Sequence, residues 1–240
     1  RDRDLSREGS PLILGIGAGY PSPKTKAAFD IAGADYHRRF TLLDDTTELW
    51  RAMWASGATT FHGALLRLTD LPPARAHSQQ GPPLWLASGT PQGLRRAARH
   101  YDGWLPYPTD ADMYAAGWRE VTAGALTAAR PPAAITPALF ATVLVTDDHE
   151  RGEAHLDAYC RATYGMPSSV VATIQLLLVG HAADIATTLS RNVQAGARHL
   201  VIRVGCLDPG DQPERIADAL APVKQHASPS PLRAAGRRRR

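Results

Sequence analysis

The sequence predicts an α/β fold: a parallel sheet with crossover helices, of the (β/α)-barrel type but incomplete. Three observations predict it. Short apolar, β-branched runs alternate along the chain with helical patterns, the mark of parallel strands joined by crossover helices. The chain has 240 residues, 44% hydrophobic and 21% charged, enough for one large globular core. Only five core strands can be found, whereas a closed barrel of this kind is built from eight.

The first strand is read at Pro11 to Ile16, a nearly continuous apolar run of the kind buried on both faces. It ends in Gly15-Ile16-Gly17-Ala18-Gly19-Tyr20. A helix is expected from about Tyr36 to Ala55, because Leu42, Leu43, Thr46, Leu49, Trp50, Met53 and Trp54 recur at three- and four-residue steps. Gly57 suits its C-terminal end, and the pair Asp44-Asp45 is expected to face solvent. A loop containing Phe61-His62-Gly63 leads to a second strand, Leu84 to Ala87. Thr90 as N-cap and Pro91 as first helical residue then open a helix from Gln92 to about His100. The third strand, Gly103 to Pro106, follows the turn pair Asp102-Gly103. A helix over about Asp112 to Ala129 and a proline-rich spacer precede the fourth strand, Leu139 to Val145. Asp147 and Glu150 form a capping box for a helix running to about Tyr164. Val170 to Val179 reads as helix then loop. A helix from about Ala182 to Gln194, closed by Gly196, a fifth strand at His199 to Val204 and a helix over about Glu214 to Gln225 complete the pattern.

Composition narrows the function classes. Net charge is +4, with much of the excess in Arg233 and Arg237 to Arg240, so the tail is expected to be solvated and disordered. No basic face interleaved with aromatics points to nucleic acid, and no run approaches the ~18 apolar residues of a membrane span. Cys160 and Cys206 share no redox or metal spacing, so both are read as free thiols. With no charged-then-apolar leader, a cytoplasmic protein is expected. The sequence opens on Arg1 rather than Met, as a chain does when something upstream has been removed.

Three segments carry candidate chemistry. In Ala87-Ser88-Gly89-Thr90-Pro91, Gly89 permits a sharp turn and close approach, Ser88 and Thr90 add hydroxyl donors, and the helix start leaves unpaired amides. A phosphate cradle and a plain capped βα turn both fit. The run Gly15 to Tyr20 fails the dinucleotide fingerprint, since its third glycine is misplaced and no helix opens at once. A strand end passing beneath a flat ligand and a tight βα loop both fit it. In Asp102 to Tyr107, Trp104 and Tyr107 are candidates for an apolar pocket wall, with core packing the other reading of Trp104. Of nine scattered histidines, only His62 is a pocket candidate, and none has metal-ligand spacing, so no metal site is expected.

In their order and spacing these segments resemble the luciferase-like monooxygenase family, over about Pro11 to Gln225. The stretch Leu12 to Tyr20 is similar to its fourth barrel strand, and Arg39 to Trp54 to the next helix. Pro82 to Gly89 is similar to the fifth strand and phosphate loop, and Ala97 to Trp104 leads into the sixth. The resemblance implies a TIM (β/α)8-type barrel represented by roughly strands 4 to 8. Its domain would run over 11–226, with a charged segment at 1–10 and a basic tail at 227–240. It further implies an oxidoreductase or monooxygenase using F420 or FMN on a small organic substrate, and a homo-oligomer. Ser88, Gly89 and Thr90 would hold the cofactor phosphate, Gly17, Gly19 and Tyr20 would lie near its ring or ribityl chain, and Trp104 would sit at the pocket wall. Asp45 stands where the family helix usually carries Glu. The family's first three strands have no counterpart, so no catalytic residue is assigned. The alternative is a truncated, non-catalytic barrel fragment that self-associates through the unpaired apolar edge of the Pro11 strand.

Overall fold

The structure is a computed structural model that describes residues 12–74 and 81–225. Pro11, His77, His226, the charged segment 1–10 and the tail 227–240 lie outside the described residues. The chain divides after Trp85 into two compact units.

The first unit opens with β1, Leu14–Ile16, shorter than the expected Pro11–Ile16. Its Leu14 amide donates to the Pro83 carbonyl at 2.9 Å. Its residues are half-buried or exposed, not buried on both faces as expected. Among the described residues it has a strand neighbour on one edge alone. A helix the sequence reading missed, α1 (Pro23–Ile31), follows. Its signal was present: Ser22 caps the Thr25 amide at 3.1 Å and Pro23 stands first in the helix. After a short 3-10 turn at Tyr36–Arg38, α2 spans Arg39–Ser56 and ends at Gly57 with φ 65°, the left-handed cap expected there. The expected loop around Phe61-His62-Gly63 is a hairpin, β2 (Phe61–His62) antiparallel to β3 (Arg67–Leu68).

Asp45 explains that hairpin. Instead of facing solvent, its carboxylate is 4% exposed and accepts from the Ala64, Leu65 and Leu66 amides at 3.1, 2.6 and 2.8 Å. Burial, the largest single influence, works to raise this carboxyl. The three amides, with Arg38 nearby, outweigh it and hold the group below the ordinary carboxylate range.

The division falls at β4 (Leu84–Leu86), whose three residues are buried. In the second unit α3 (Pro91–His100), β5 (Gly103–Trp104), α4 (Ala111–Thr127) and β6 (Thr136–Val145) follow. Then come α5 (His149–Tyr164), α6 (Ser168–Val171), β7 (Leu176–Gly180), α7 (Ala182–Gln194), β8 (His199–Val204) and α8 (Gln212–Gln225). The pairings are parallel: Gly103 opposite Thr136, Ala141 opposite Leu176 and Ala138 opposite His199. This is the α/β, parallel-strand architecture that the alternation predicts. Strand β7 corrects the expected loop at the end of Val170 to Val179. The N-cap of α5 is Asp148, which takes the Arg151 amide at 3.0 Å, not the neighbouring Asp147.

Strand β6 is the core of this unit, buried from Ala138 to Val145. Gln212, at the start of α8, stands in for a strand neighbour at its end. The amide side chain accepts from Val145 N and donates to Val145 O, both at 2.9 Å. Both cysteines are free, Cys160 buried and Cys206 half-buried. No helix among the described residues is long and apolar enough to cross a membrane.

One buried group costs stability. Tyr114 on α4 is fully buried, and its hydroxyl has no hydrogen-bond partner among the described residues. Burial pushes its phenol well above the ordinary range. Tyr114→Phe keeps the ring against Trp104 and removes the stranded hydroxyl, so a gain of about 1 kcal/mol is expected in urea denaturation. A loss of that size would mean the hydroxyl has a partner after all.

Candidate functional site

The corner between β4 and α3 is built from its own hydroxyls. Thr90 is extended (φ −78°, ψ 151°), and its Oγ1 accepts from the Gly93 amide at 3.2 Å. Its carbonyl takes the Leu94 amide at 2.8 Å. Pro91 has no amide proton, so of the first turn only the Gln92 amide is without a partner among the described residues. Ser88 Oγ lies 3.3 Å from Thr90 Oγ1 and accepts a long bond from the Thr90 amide at 3.4 Å. Each hydroxyl thus accepts from an amide, one of them donates to the other, and the remaining hydroxyl proton is left to donate elsewhere.

Two glycines act here in opposite ways. A Cβ on Gly93, in the first turn of α3, would collide with Ser88 Oγ and Cβ and stand 3.2 Å from Thr90 Oγ1. Gly93 is what allows both hydroxyls to fold over the helix start. Gly89 is exposed, has no positive φ, and a Cβ there would meet nothing within 4 Å. The sharp turn expected of Gly89 is therefore not what calls for glycine; the backbone simply faces open space.

Trp104 braces this corner from behind. Its indole Nε1 donates to the Ser88 carbonyl at 2.8 Å. The ring is 1% exposed, stacked on Trp118 at 6.2 Å and tilted against Tyr114 at 5.1 Å. A Cβ on Gly117 would stand 2.6 Å from Trp104 Cη2, so α4 makes room for the indole with a glycine. Tyr107 turns elsewhere: its ring, 43% exposed, lies 5.0 Å from Phe140 on β6.

In the first unit Gly17, Gly19 and Tyr20 are all exposed. Gly19 has φ +83°, and a Cβ there would stand 2.7 Å from Thr25 Cγ2, so the turn into α1 accounts for this glycine. His62 is exposed on β2, beside Gly63, where a Cβ would stand 2.5 Å from the Asp45 carboxylate. The second unit thus brings Ser88, Thr90 and Trp104 into one bonded group with Gly89. Sequence reasoning missed Gly93 and Asp45. A glycine inside a helix was the signal for the first; nothing local marked the second.

The profile of a family described as luciferase-like monooxygenase matches residues 12–199. The chain is 28% identical over 167 residues to a phthiodiolone/phenolphthiodiolone dimycocerosates ketoreductase of Mycobacterium sp. (strain JLS), covering 65% of this chain and 41% of that protein. It therefore spans about two fifths of that curated relative. Among solved structures, the monooxygenase RslO1 from Streptomyces bottropensis superposes with a TM-score of 0.66 at 17% identity, over 88% of this chain and 67% of that one. An F420-dependent secondary alcohol dehydrogenase in complex with an F420–acetone adduct superposes with a TM-score of 0.64 at 15% identity, over 88% and 69%.

Proposed function

The chain belongs to the luciferase-like monooxygenase family, and from that premise we propose that it serves an oxidoreductase that uses F420 or FMN on a small organic substrate, with the cofactor's phosphate held at Ser88, Gly89 and Thr90. The observation that carries the proposal is the open space over Gly89, where a Cβ would meet no atom within 4 Å, set between two hydroxyls that bond to each other and leave one proton free to donate. A phosphate seated there would replace the Ser88–Thr90 hydroxyl bond, taking both hydroxyl protons together with the Gln92 amide at the positive end of α3. Trp104 would keep Ser88 in place through its carbonyl. When bound, the cofactor supplies the hydride or oxygen chemistry, and the protein supplies position and electrostatics. The F420 named in the dehydrogenase superposed above supports the deazaflavin arm of this reading.

The test is a titration of the purified chain with F420 and, separately, FMN, following cofactor fluorescence. Saturable quenching with one of them supports the proposal; no quenching with either overturns it. A second reading, a non-catalytic chain that self-associates, draws on β8, an apolar strand that is mostly half-buried and has β6 as its only strand neighbour among the described residues. Sedimentation that shows oligomers, together with no cofactor quenching, favours that second reading.

A further inference from the structure

A second cluster in the latter unit is built almost wholly of hydrogen-bond donors. Arg203 on β8 donates from Nη1 to the Tyr164 hydroxyl at 3.1 Å, and Gln175 Nε2 donates to the same oxygen at 3.1 Å. Gln175 is 6% exposed and also reaches Thr142 Oγ1 on β6 at 3.4 Å, which fixes its amide. The Tyr164 oxygen therefore accepts twice, and its own proton is left to donate away from both donors. The Arg203 guanidinium lies over the Phe140 ring, 5.2 Å from its centroid. Its ionisable neighbours are the phenols Tyr159, Tyr164 and Tyr107 rather than a carboxylate, and the Tyr159 hydroxyl also accepts from it. Tyr107, whose ring also lies 5.0 Å from that of Phe140, is a neighbour of both Arg203 and Tyr164, and its hydroxyl has no hydrogen-bond partner among the described residues.

Arg203 and Tyr107 are both exposed, so the cluster is open to a ligand. It offers a fixed positive charge with spare N–H groups, a phenol proton not used by Arg203 or Gln175, and the exposed ring of a second phenol, Tyr107. A guanidinium without a carboxylate partner is the usual recognition group for a carboxylate or phosphate. The exposed Tyr107 ring suits a flat apolar body. We propose that Arg203 and Tyr164 bind the carboxylate of a small aromatic acid, whose ring packs against the exposed ring of Tyr107. This site is separate from the Ser88 corner in its residues and does not depend on the cofactor reading.

The probe is benzoate, with benzamide as its neutral counterpart, in ligand-observed NMR titrations of the full chain. Benzoate is expected to saturate with Kd of about 1 mM, and benzamide to bind at least about tenfold more weakly. Arg203→Met should weaken benzoate at least about tenfold, Arg203→Lys by less, and Tyr164→Phe about fivefold. Gly89→Asp should leave benzoate affinity unchanged, which separates this site from the cofactor corner. A merely structural Arg203 would not discriminate benzoate from benzamide. Equal binding of the two probes, no saturation with benzoate, or undiminished binding by Arg203→Met overturns the proposal. Should Arg203→Met fail to fold, Tyr164→Phe decides in the same way.

Discussion

Gly89→Asp is expected to lower affinity for F420 or FMN about a hundredfold, ~2.8 kcal/mol, while the chain melts at the same temperature as wild type or slightly higher. The two halves of this result have separate causes. The new carboxylate would point into the space assigned to the phosphate, so it opposes the ligand by charge and by bulk. Folding is spared because a Cβ at this position meets nothing within 4 Å and the backbone has no positive φ. A carboxylate just before a helix start even gains a few tenths of a kcal/mol from the helix dipole. Gly93→Ala should behave differently. Its Cβ would collide with Ser88 at a buried position, so it should cost about 1–3 kcal/mol of stability along with affinity. Isothermal titration beside thermal melts reads both quantities. A Gly89→Asp protein that binds as tightly as wild type would place the phosphate elsewhere.

Which features could be read in the sequence follows from how local their causes are. The strand–helix alternation was legible because each element carries its own signal: Thr90-Pro91 opening α3, Gly57 closing α2, and an apolar run at His199 to Val204. The hydroxyl corner was legible for the same reason, since a capping residue and its helix are adjacent in sequence. Its supports were not, because Trp104 reaches Ser88 across 16 positions and Gly117 matters only through Trp104. Leu176-Leu177-Leu178-Val179 has no period that separates strand from helix, so β7 is decided by pairing with β6. At Asp147-Asp148 either carboxylate can cap; Asp148 does so, and Asp147 instead meets His181 at 3.3 Å and Arg215 at 3.0 Å. Arg203 stands in a strand whose pattern gives no hint of Tyr164, 39 positions earlier.

Asp45 is the clearest case of a long-range cause, and its replacement should carry the largest stability effect in the first unit. Its carboxylate collects amides 19, 20 and 21 positions away, so helical periodicity alone makes it look like a surface charge. Asp45→Ala strands three donors around the site of a lost anion. Hydrogen bonds to a charged acceptor contribute ~1.5–3 kcal/mol each, but Ala64 is exposed and water can replace part of its bond, so a net loss of about 3 kcal/mol is expected. Asp45→Asn should recover part of it, since the amide oxygen can still accept. The same geometry sets a pH dependence. The folded carboxyl titrates below its ordinary value, so its contribution is complete above the unfolded pKa of about 3.9 and disappears as pH falls through the lower folded value. Urea midpoints of wild type and Asp45→Ala should therefore differ most at neutral pH and converge in acid. A constant difference from neutral pH down to acid would mean that the carboxylate's charge contributes nothing and that only its shape is felt.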